Sequence, residues 1–153
     1  MRKFEKISFE QFKKDVDNDK ELYNEYSIPK RETKYAAGYD FYSLTDFILK
    51  PGEIMKIPTG IKCCMESDEV LLLIDRSSQG FKHNVRLCNQ VGVIDCDYYN
   101  NKNNEGHIWI GLQNEGTEDY IVKKSEGIIQ GIIIKYLKVD SEIDDFFERQ
   151  SDY

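Results

Sequence analysis

The segment from Phe47 to Ile74 reads FILKPGEIMKIPTGIKCCMESDEVLLLI, and it alternates short apolar pieces with turn residues. Pro51-Gly52 separates the first two pieces, and Pro58-Thr59-Gly60 separates the second from the third. The run Val70 to Ile74 is continuously apolar and has the length of a strand, which is typical of a strand buried on both faces. The segment therefore predicts a series of short strands joined by tight turns.

The same pattern continues towards the C-terminus. In His107 to Leu112 the apolar residues alternate with others, and further extended pieces follow at Tyr120-Ile121-Val122 and at Ile128 to Leu137. Strand-like pieces thus recur about every ten residues, with Gly, Pro and Asn between them, which is typical of an all-β sandwich or barrel. We predict a single domain over residues 1–153.

The two ends of the chain differ from this pattern. Ser8, followed three residues later by Gln11, predicts the start of a short helix through a capping box, with Ile7 and Phe12 as its hydrophobic staple. Residues 1–34 are therefore predicted to be a helical extension. Residues 138–153 are acidic and polar, and we predict that they form a mobile C-terminal tail.

Composition excludes several classes of function. The chain has 153 residues and a net charge of −7, which argues against a protein that binds nucleic acid by neutralising its phosphates. Its apolar runs are too short for a membrane span, and the N-terminus has no apolar block typical of a secretory signal. The four cysteines form no C-x-x-C pair, which favours reduced thiols and a cytoplasmic location; a zinc site using His83, Cys88, Cys96 and His107 would fit no standard spacing.

Four polar clusters interrupt the apolar pattern. They are residues 36–41 (AAGYDF), 75–80 (DRSSQG), 89–101 (NQVGVIDCDYYNN) and 126–131 (EGIIQG). The second cluster follows a buried strand and offers an arginine and two hydroxyls to an oxyanion, although a capped turn would also explain it. The third predicts a β-hairpin with a partly buried Asp95 at its mouth, and a buried carboxylate needs a partner or a task.

The four clusters together, in this order, resemble the homotrimeric type of dUTPase (deoxyuridine 5'-triphosphate nucleotidohydrolase), most of all the form found in Gram-positive bacteria and their phages. The resemblance covers about Arg31 to Tyr136, and Gly-Val-Ile-Asp-x-Asp-Tyr at 92–98 is its most specific motif. It implies a dUTPase-like distorted β-barrel (β-clip or jelly-roll-like) with a short N-terminal helix. It also implies hydrolysis of dUTP to dUMP and pyrophosphate by a homotrimer, which keeps uracil out of DNA and supplies dUMP for thymidylate synthesis.

The resemblance also implies roles for individual residues. Asp95 would activate the attacking water, and Asp40 would contact a Mg²⁺ ion through water. The uracil edge would be recognised by Asn89 and the hairpin backbone at Val91 and Gly92, and the deoxyribose would stack on Tyr98. The phosphate chain would be held by Arg76, Ser77, Ser78 and, from a neighbouring subunit, Gln130. The closing tail of the family would begin at Arg149, with Tyr153 stacking on uracil.

Two departures from the family pattern stand out. Gly127 follows Glu126 where many relatives carry an arginine nearby, so a guanidinium from this segment is not expected. The family's glycine-rich closing tail is also missing after Arg149. We expect that the sequence stops short of such a tail, and the alternative is a different mode of closure.

Two other functions remain open at this stage. A dCTP deaminase shares the fold, and the ammonia or pyrophosphate released from dCTP or dUTP would discriminate the two enzymes. A nucleotide-sensing or regulatory protein could use the same scaffold without turnover. The presence of Asp95 favours an enzyme, because a binding protein needs no carboxylate to activate water.

Overall fold

The protein is described by a computed structural model that covers residues 1–147 and 149. Within these residues the chain forms eleven strands and three α-helices. The strands are β1 (Lys3–Lys6), β2 (Tyr39–Tyr42), β3 (Phe47–Leu49), β4 (Ile54–Pro58), β5 (Ile61–Cys64), β6 (Glu69–Ile74), β7 (Val85–Leu87), β8 (Gly92–Asp95), β9 (Trp109–Asn114), β10 (Tyr120–Val122) and β11 (Gly127–Lys135). The helices are α1 (Phe9–Asp15), α2 (Lys20–Glu25) and α3 (Ser77–His83).

Two larger sheets organise the fold. One has the strand order β2-β11-β6-β8, the other has the order β4-β9-β7, and the pairs β1-β5 and β3-β10 complete the set. All of these strand pairs are antiparallel. The prediction of an all-β fold is confirmed.

The core lies between the sheets. In β6, which is flanked by β11 and β8, Val70, Leu71 and Leu73 are buried, as the continuous apolar run predicted. The alternation predicted after His107 is also confirmed, because Ile108, Ile110 and Leu112 all point into the core. None of the helices in the described part of the chain is long and apolar enough to span a membrane.

The N-terminal extension contains more than the predicted helix. The Ser8 hydroxyl caps α1 by accepting from the Gln11 N–H at 3.1 Å, but the Gln11 side chain donates to Asp15 instead of closing the capping box. A second helix, α2, begins after Asp19, whose carboxylate accepts from the Leu22 N–H at 3.0 Å. The strand β1 pairs with β5, so residues 1–34 hold a strand and a second helix in addition to the short helix that the sequence predicted.

The predicted β-hairpin around residues 89–101 is also wrong. β7 pairs with β9, whereas β8 pairs with β6 in the other sheet, so the loop at residues 88–91 crosses from one sheet to the other. Gly92 makes this pairing close, since a Cβ atom there would lie 3.0 Å from the Leu73 Cβ. As a result, β8 and β9 diverge and leave a gap between the two sheets.

Candidate functional site

Three of the polar clusters meet at one end of the four-stranded sheet. Asp40 on β2 is paired with Gln130 on β11, and Gln130 is in turn paired with Ile74 at the end of β6. The Arg76 guanidinium lies against both neighbours, with Nε 3.3 Å from Asp40 Oδ1 and Nη1 donating to the Gly127 carbonyl at 2.9 Å. We call Asp40, Arg76 and Gln130 the Arg76 cluster.

Gln130 is fixed within this cluster by its own chain. Its Nε2 donates to the Asp75 carbonyl at 2.9 Å, directly before Arg76. The expectation that Gln130 and Arg76 would serve one phosphate chain from different subunits is therefore wrong. The register of β11 between β2 and β6 places both side chains at the same end of one sheet.

The helix α3, which the sequence did not predict, carries the two serines. It begins directly after Arg76, whose N–H donates to Gln79 Oε1 at 3.1 Å, and it ends at Asn84 in the left-handed conformation. Ser77 is exposed and Ser78 is half-buried, both next to the guanidinium. Because the helix buries only Gln79, it has no apolar periodicity from which it could have been predicted.

Two effects shift the pKa of Asp40 in opposite directions. Burial raises the pKa of Asp40 above its ordinary value, and the neighbouring Arg76 opposes this rise only in part. The Asp40 side chain is only 13% exposed, and the Arg76 guanidinium compensates its charge through the ion pair. An ionised Asp40 beside Arg76 leaves an anionic oxygen and a cationic donor at the same sheet end.

Gly127 explains the missing arginine of the fourth cluster. A Cβ atom at this position would lie 2.8 Å from Arg76 Nη1 and 3.0 Å from its Cζ. The Arg76 guanidinium therefore occupies the space above residue 127. In this chain the guanidinium next to the fourth cluster is that of Arg76, which belongs to the second cluster.

Asp95 lies outside the Arg76 cluster. It ends β8, and its side chain is 52% exposed, so the expected partial burial is weaker than predicted. Arg149 bridges two carboxylates here, with Nη2 2.6 Å from Asp95 Oδ2 and Nε 2.5 Å from Asp97 Oδ1. The C-terminal arginine and the candidate base thus belong to one ion-paired group.

The register of β6 separates Asp95 from the Arg76 cluster. Asp95 is paired with Val70 at the start of β6, whereas Gln130 is paired with Ile74 at its end. Four residues of extended strand separate these positions by roughly 13 Å. One chain alone therefore does not bring the carboxylate and the guanidinium to the same reacting atom.

A cavity of about 390 Å³ opens where β8 and β9 diverge. Of the residues predicted to recognise the uracil edge, Asn89 and Gly92 line this cavity, whereas Val91 is exposed and is not among the lining residues. Ile94 also lines it, whereas the adjacent Asp95 is not among the lining residues. The other lining residues are Lys56, Leu73, Leu87, Cys88, Val93, Trp109, Ile110 and Gly111.

The backbone of β9 offers hydrogen bonds to this cavity. The Ile108 N–H and C=O bond to Ile61 and Thr59 on one side of the strand, while the Gly111 C=O accepts from the Cys88 N–H on the other. The backbone N–H and C=O of Trp109 point to the same side of β9 as those of Gly111, because the hydrogen-bonding direction alternates from one residue to the next along a strand. The Trp109 N–H and C=O therefore point past the end of β7 towards the cavity that this residue lines, a contribution that the sequence did not predict.

Tyr98 is almost completely buried, with 5% of its surface exposed. Its hydroxyl donates to the His107 carbonyl at 2.6 Å and accepts from Asn104 Nδ2 at 3.0 Å. Its predicted contact with a sugar remains a prediction, and it is limited to the small exposed part of the ring. Tyr153 lies outside the described residues.

Comparison with known proteins identifies the family. The dUTPase family model matches residues 24–151. A deoxyuridine 5'-triphosphate nucleotidohydrolase of Lactococcus lactis is 44% identical over 116 residues, which are 76% of this chain and 77% of the relative. The crystal structure of dUTPase from Streptococcus mutans superposes with a TM-score of 0.72 at 40% identity, over 90% of this chain and 98% of that one. A mutant dUTPase from phage phi11 of S. aureus shares the fold, with a TM-score of 0.69 at 18% identity over 97% and 99% of the two chains.

The chain belongs to the dUTPase family, as its motifs predicted.

Proposed function

We propose that this dUTPase hydrolyses dUTP to dUMP and pyrophosphate at a site built from two neighbouring chains. The observation that carries the proposal is the separation of Asp95 from the Arg76 cluster along β6. A carboxylate must come within about 3 Å of the water that it activates, and the separation of the two groups within one chain favours a site that takes them from different subunits. A head-to-tail contact of this kind closes into a ring, and the family resemblance supports a ring of three.

The uracil base would enter the cavity between β8 and β9. Uracil presents alternating carbonyl oxygens and an N–H along one edge, and the Trp109 C=O and N–H offer the complementary acceptor and donor. Asn89 adds an amide to the same cavity, Gly92 lines it, and the backbone of the adjacent Val91 would contact the base from outside the lining. The tight packing of Gly92 against Leu73 leaves little space there, which supports exclusion of a base with a methyl group at C5.

The triphosphate would extend from this cavity to the Arg76 cluster of the neighbouring chain. Arg76, Ser77, Ser78 and Gln130 supply a guanidinium, two hydroxyls and an amide, all of which can donate to phosphate oxygens. Such cations and donors are needed locally because the chain as a whole carries a net charge of −7. Arg149 would add a second guanidinium by moving from Asp95 to the phosphates, and Tyr153 would follow it over the base.

The residues at this site fit a Mg²⁺ ion that is held mainly by the substrate. Among residues 1–147 and 149 there is no group of three His, Cys, Asp or Glu side chains that could hold a metal on their own. Asp40 offers one carboxylate, and Mg²⁺ prefers to keep several waters and to bind phosphate oxygens. The structure of the phage phi11 protein shows the coordination of a structural Mg(II) ion, which supports this choice of metal. When bound, the ion would offset charge on the phosphates.

Asp95 would act as the general base. It would take a proton from a water molecule while the water oxygen attacks the α-phosphorus and the bond from that phosphorus to the bridging oxygen breaks. Pyrophosphate then leaves and dUMP remains. Its exposure to solvent supports this role, since water can reach the carboxylate directly once Arg149 has moved away.

The test is the replacement of Asp95 by asparagine, which keeps the shape of the side chain and removes its basicity. We expect turnover of dUTP to fall by about 100-fold or more, as for loss of a general base, while binding of dUMP is retained. Release of pyrophosphate and calorimetric titration with dUMP measure the two quantities. Turnover near that of the wild type would refute the role of Asp95.

A further inference from the structure

The N-terminal segment packs on the turn between β4 and β5 and on the part of the chain that joins β8 to β9. The Ile7 N–H and the Tyr26 hydroxyl both donate to the Gly60 carbonyl, at 3.0 and 2.8 Å. Ser8 bonds to Glu105 through both its N–H and its hydroxyl.

His107 is the centre of this packing. It is fully buried, and its Nδ1 lies 2.6 Å from Asp15 Oδ2 on α1. Its Nε2 accepts from the Gly60 N–H at 2.8 Å, so Nε2 carries no proton and Nδ1–H is the donor to Asp15. The imidazole is therefore neutral, in one tautomer, and bonded on both sides.

His107 also touches both aromatic residues of the proposed nucleotide site. Its carbonyl accepts from the Tyr98 hydroxyl at 2.6 Å. Its ring lies 5.2 Å from the Trp109 ring, two residues further along the chain, at an angle of 49°. Any movement of residue 107 would therefore shift the sugar contact and the cavity wall together.

We propose that His107 and Asp15 are positioning residues for the nucleotide: the N-terminal helix fixes His107, and His107 fixes Tyr98 and Trp109. The proposal rests on the proposed function for its substrate. Neither residue touches the nucleotide or the reacting atoms, since His107 is enclosed and Asp15 lies behind it. Their loss should therefore affect nucleotide affinity and discrimination between dUTP and UTP more than the chemical step.

The charges around His107 define when this arrangement holds. The groups that face the ring are Asp15 from α1 and Glu105 from its own loop, and both are acidic. Gly60 presents an N–H, so a proton on Nε2 would place two donors against each other. Burial lowers the pKa of His107 although the two acids oppose this, and the neutral form with its two bonds persists near neutral pH.

The experiment compares Asp15→Ala, His107→Ala and His107→Asn with the intact protein. We expect the two alanine variants to raise KM for dUTP about tenfold and to lower the preference for dUTP over UTP, because each leaves a buried polar partner without its bond. The kcat should stay within about twofold, since Asp95 and the Arg76 cluster are untouched. His107→Asn keeps an N–H for Asp15 and should restore most of the affinity.

Lys14→Ala is the matched control, since Lys14 lies next to Asp15 on α1 and is exposed. It should leave KM, kcat and discrimination unchanged. An unchanged KM in Asp15→Ala and His107→Ala would overturn the proposal. So would a fall in kcat and in the thermal midpoint together without a change in KM or discrimination, because that pattern reports destabilisation alone.

Trp109 gives a readout that does not depend on catalysis, since it is the only tryptophan of the chain. In the nucleotide-free His107→Ala and Asp15→Ala proteins its emission should move to longer wavelength, because the indole loses its packing. An unchanged emission would overturn the positioning role. Absence of dUTP turnover and of dUMP binding in the intact protein would instead refute the proposed function. The fluorescence measurement would still test whether His107 and Asp15 position Trp109.

Discussion

Replacement of Gly127 by alanine should weaken nucleotide binding while the protein stays folded. The added Cβ would lie 2.8 Å from Arg76 Nη1, about 0.6 Å inside the distance at which ordinary contact begins. Arg76 is 34% exposed at its side chain, so the guanidinium has room to move towards solvent. The guanidinium would then lose its hydrogen bond to the Gly127 carbonyl and its ion pair with Asp40.

The size of the effect follows from the bonds that are lost or displaced. A hydrogen bond that involves a charged group contributes about 1.5–3 kcal/mol, which corresponds to roughly 10- to 100-fold in affinity when the group is needed for binding. We therefore expect KM for dUTP to rise by about one order of magnitude, and the loss of the two Arg76 contacts to lower the unfolding free energy by about 1–3 kcal/mol, which leaves the protein folded. Steady-state release of pyrophosphate and urea unfolding measure the two quantities.

Gly80 provides the control for this substitution. A Cβ atom there meets nothing within 4 Å, and the residue lies inside α3, so Gly80→Ala should stabilise the protein by about 0.5–1 kcal/mol and leave KM unchanged. An unaltered KM in Gly127→Ala would refute the assignment of Arg76 to the phosphates. A loss of stability well above about 3 kcal/mol in that variant would refute the argument that the guanidinium has room to move.

Two further predictions concern protons and metal. Burial holds the pKa of His107 below its ordinary value of 6.5, so the unfolded chain takes up a proton first as the pH falls. The free energy of unfolding should therefore decrease below pH 6.5, by at most about 1.4 kcal/mol per pH unit from this group, and the decrease should be smaller in His107→Asn. Chelation of the metal should abolish turnover, and added Mg²⁺ should restore it. Calorimetry should detect no Mg²⁺ binding to the nucleotide-free protein, because Asp40 is the one protein carboxylate proposed to hold the ion. Tight Mg²⁺ binding to the nucleotide-free protein would contradict this.

Much of the fold could be predicted from local pattern. β6 and β9 were identifiable because burial on two faces or on one leaves a continuous or an alternating apolar sequence. β1, α2 and α3 were not, since they are short and their stability comes from partners far away in the chain. β1 needs the edge of β5, and α3 depends on Gln79, whose Nε2 donates to the Ile128 carbonyl at 2.5 Å.

The motifs identified most of the candidate site residues but not how they are distributed. Strand register places Gln130 beside Arg76 and removes Asp95 from both, and register depends on pairings that sequence order does not reveal. The contribution of Trp109 lies in its backbone, which carries no signal of residue type. The part played by His107 depends on a contact with Asp15, 92 residues away.

The central claim is that each site takes Asp95 from one chain and the Arg76 cluster from the next. It is tested most directly by mixing two inactive variants, Asp95→Asn and Arg76→Ala, in equal amounts under conditions that exchange subunits. If sites form between chains, about one site in four receives both intact residues, so the mixture should recover roughly a quarter of the wild-type activity. If each site lies within one chain, no site is intact, and a mixture that stays inactive although subunits exchange would contradict the account.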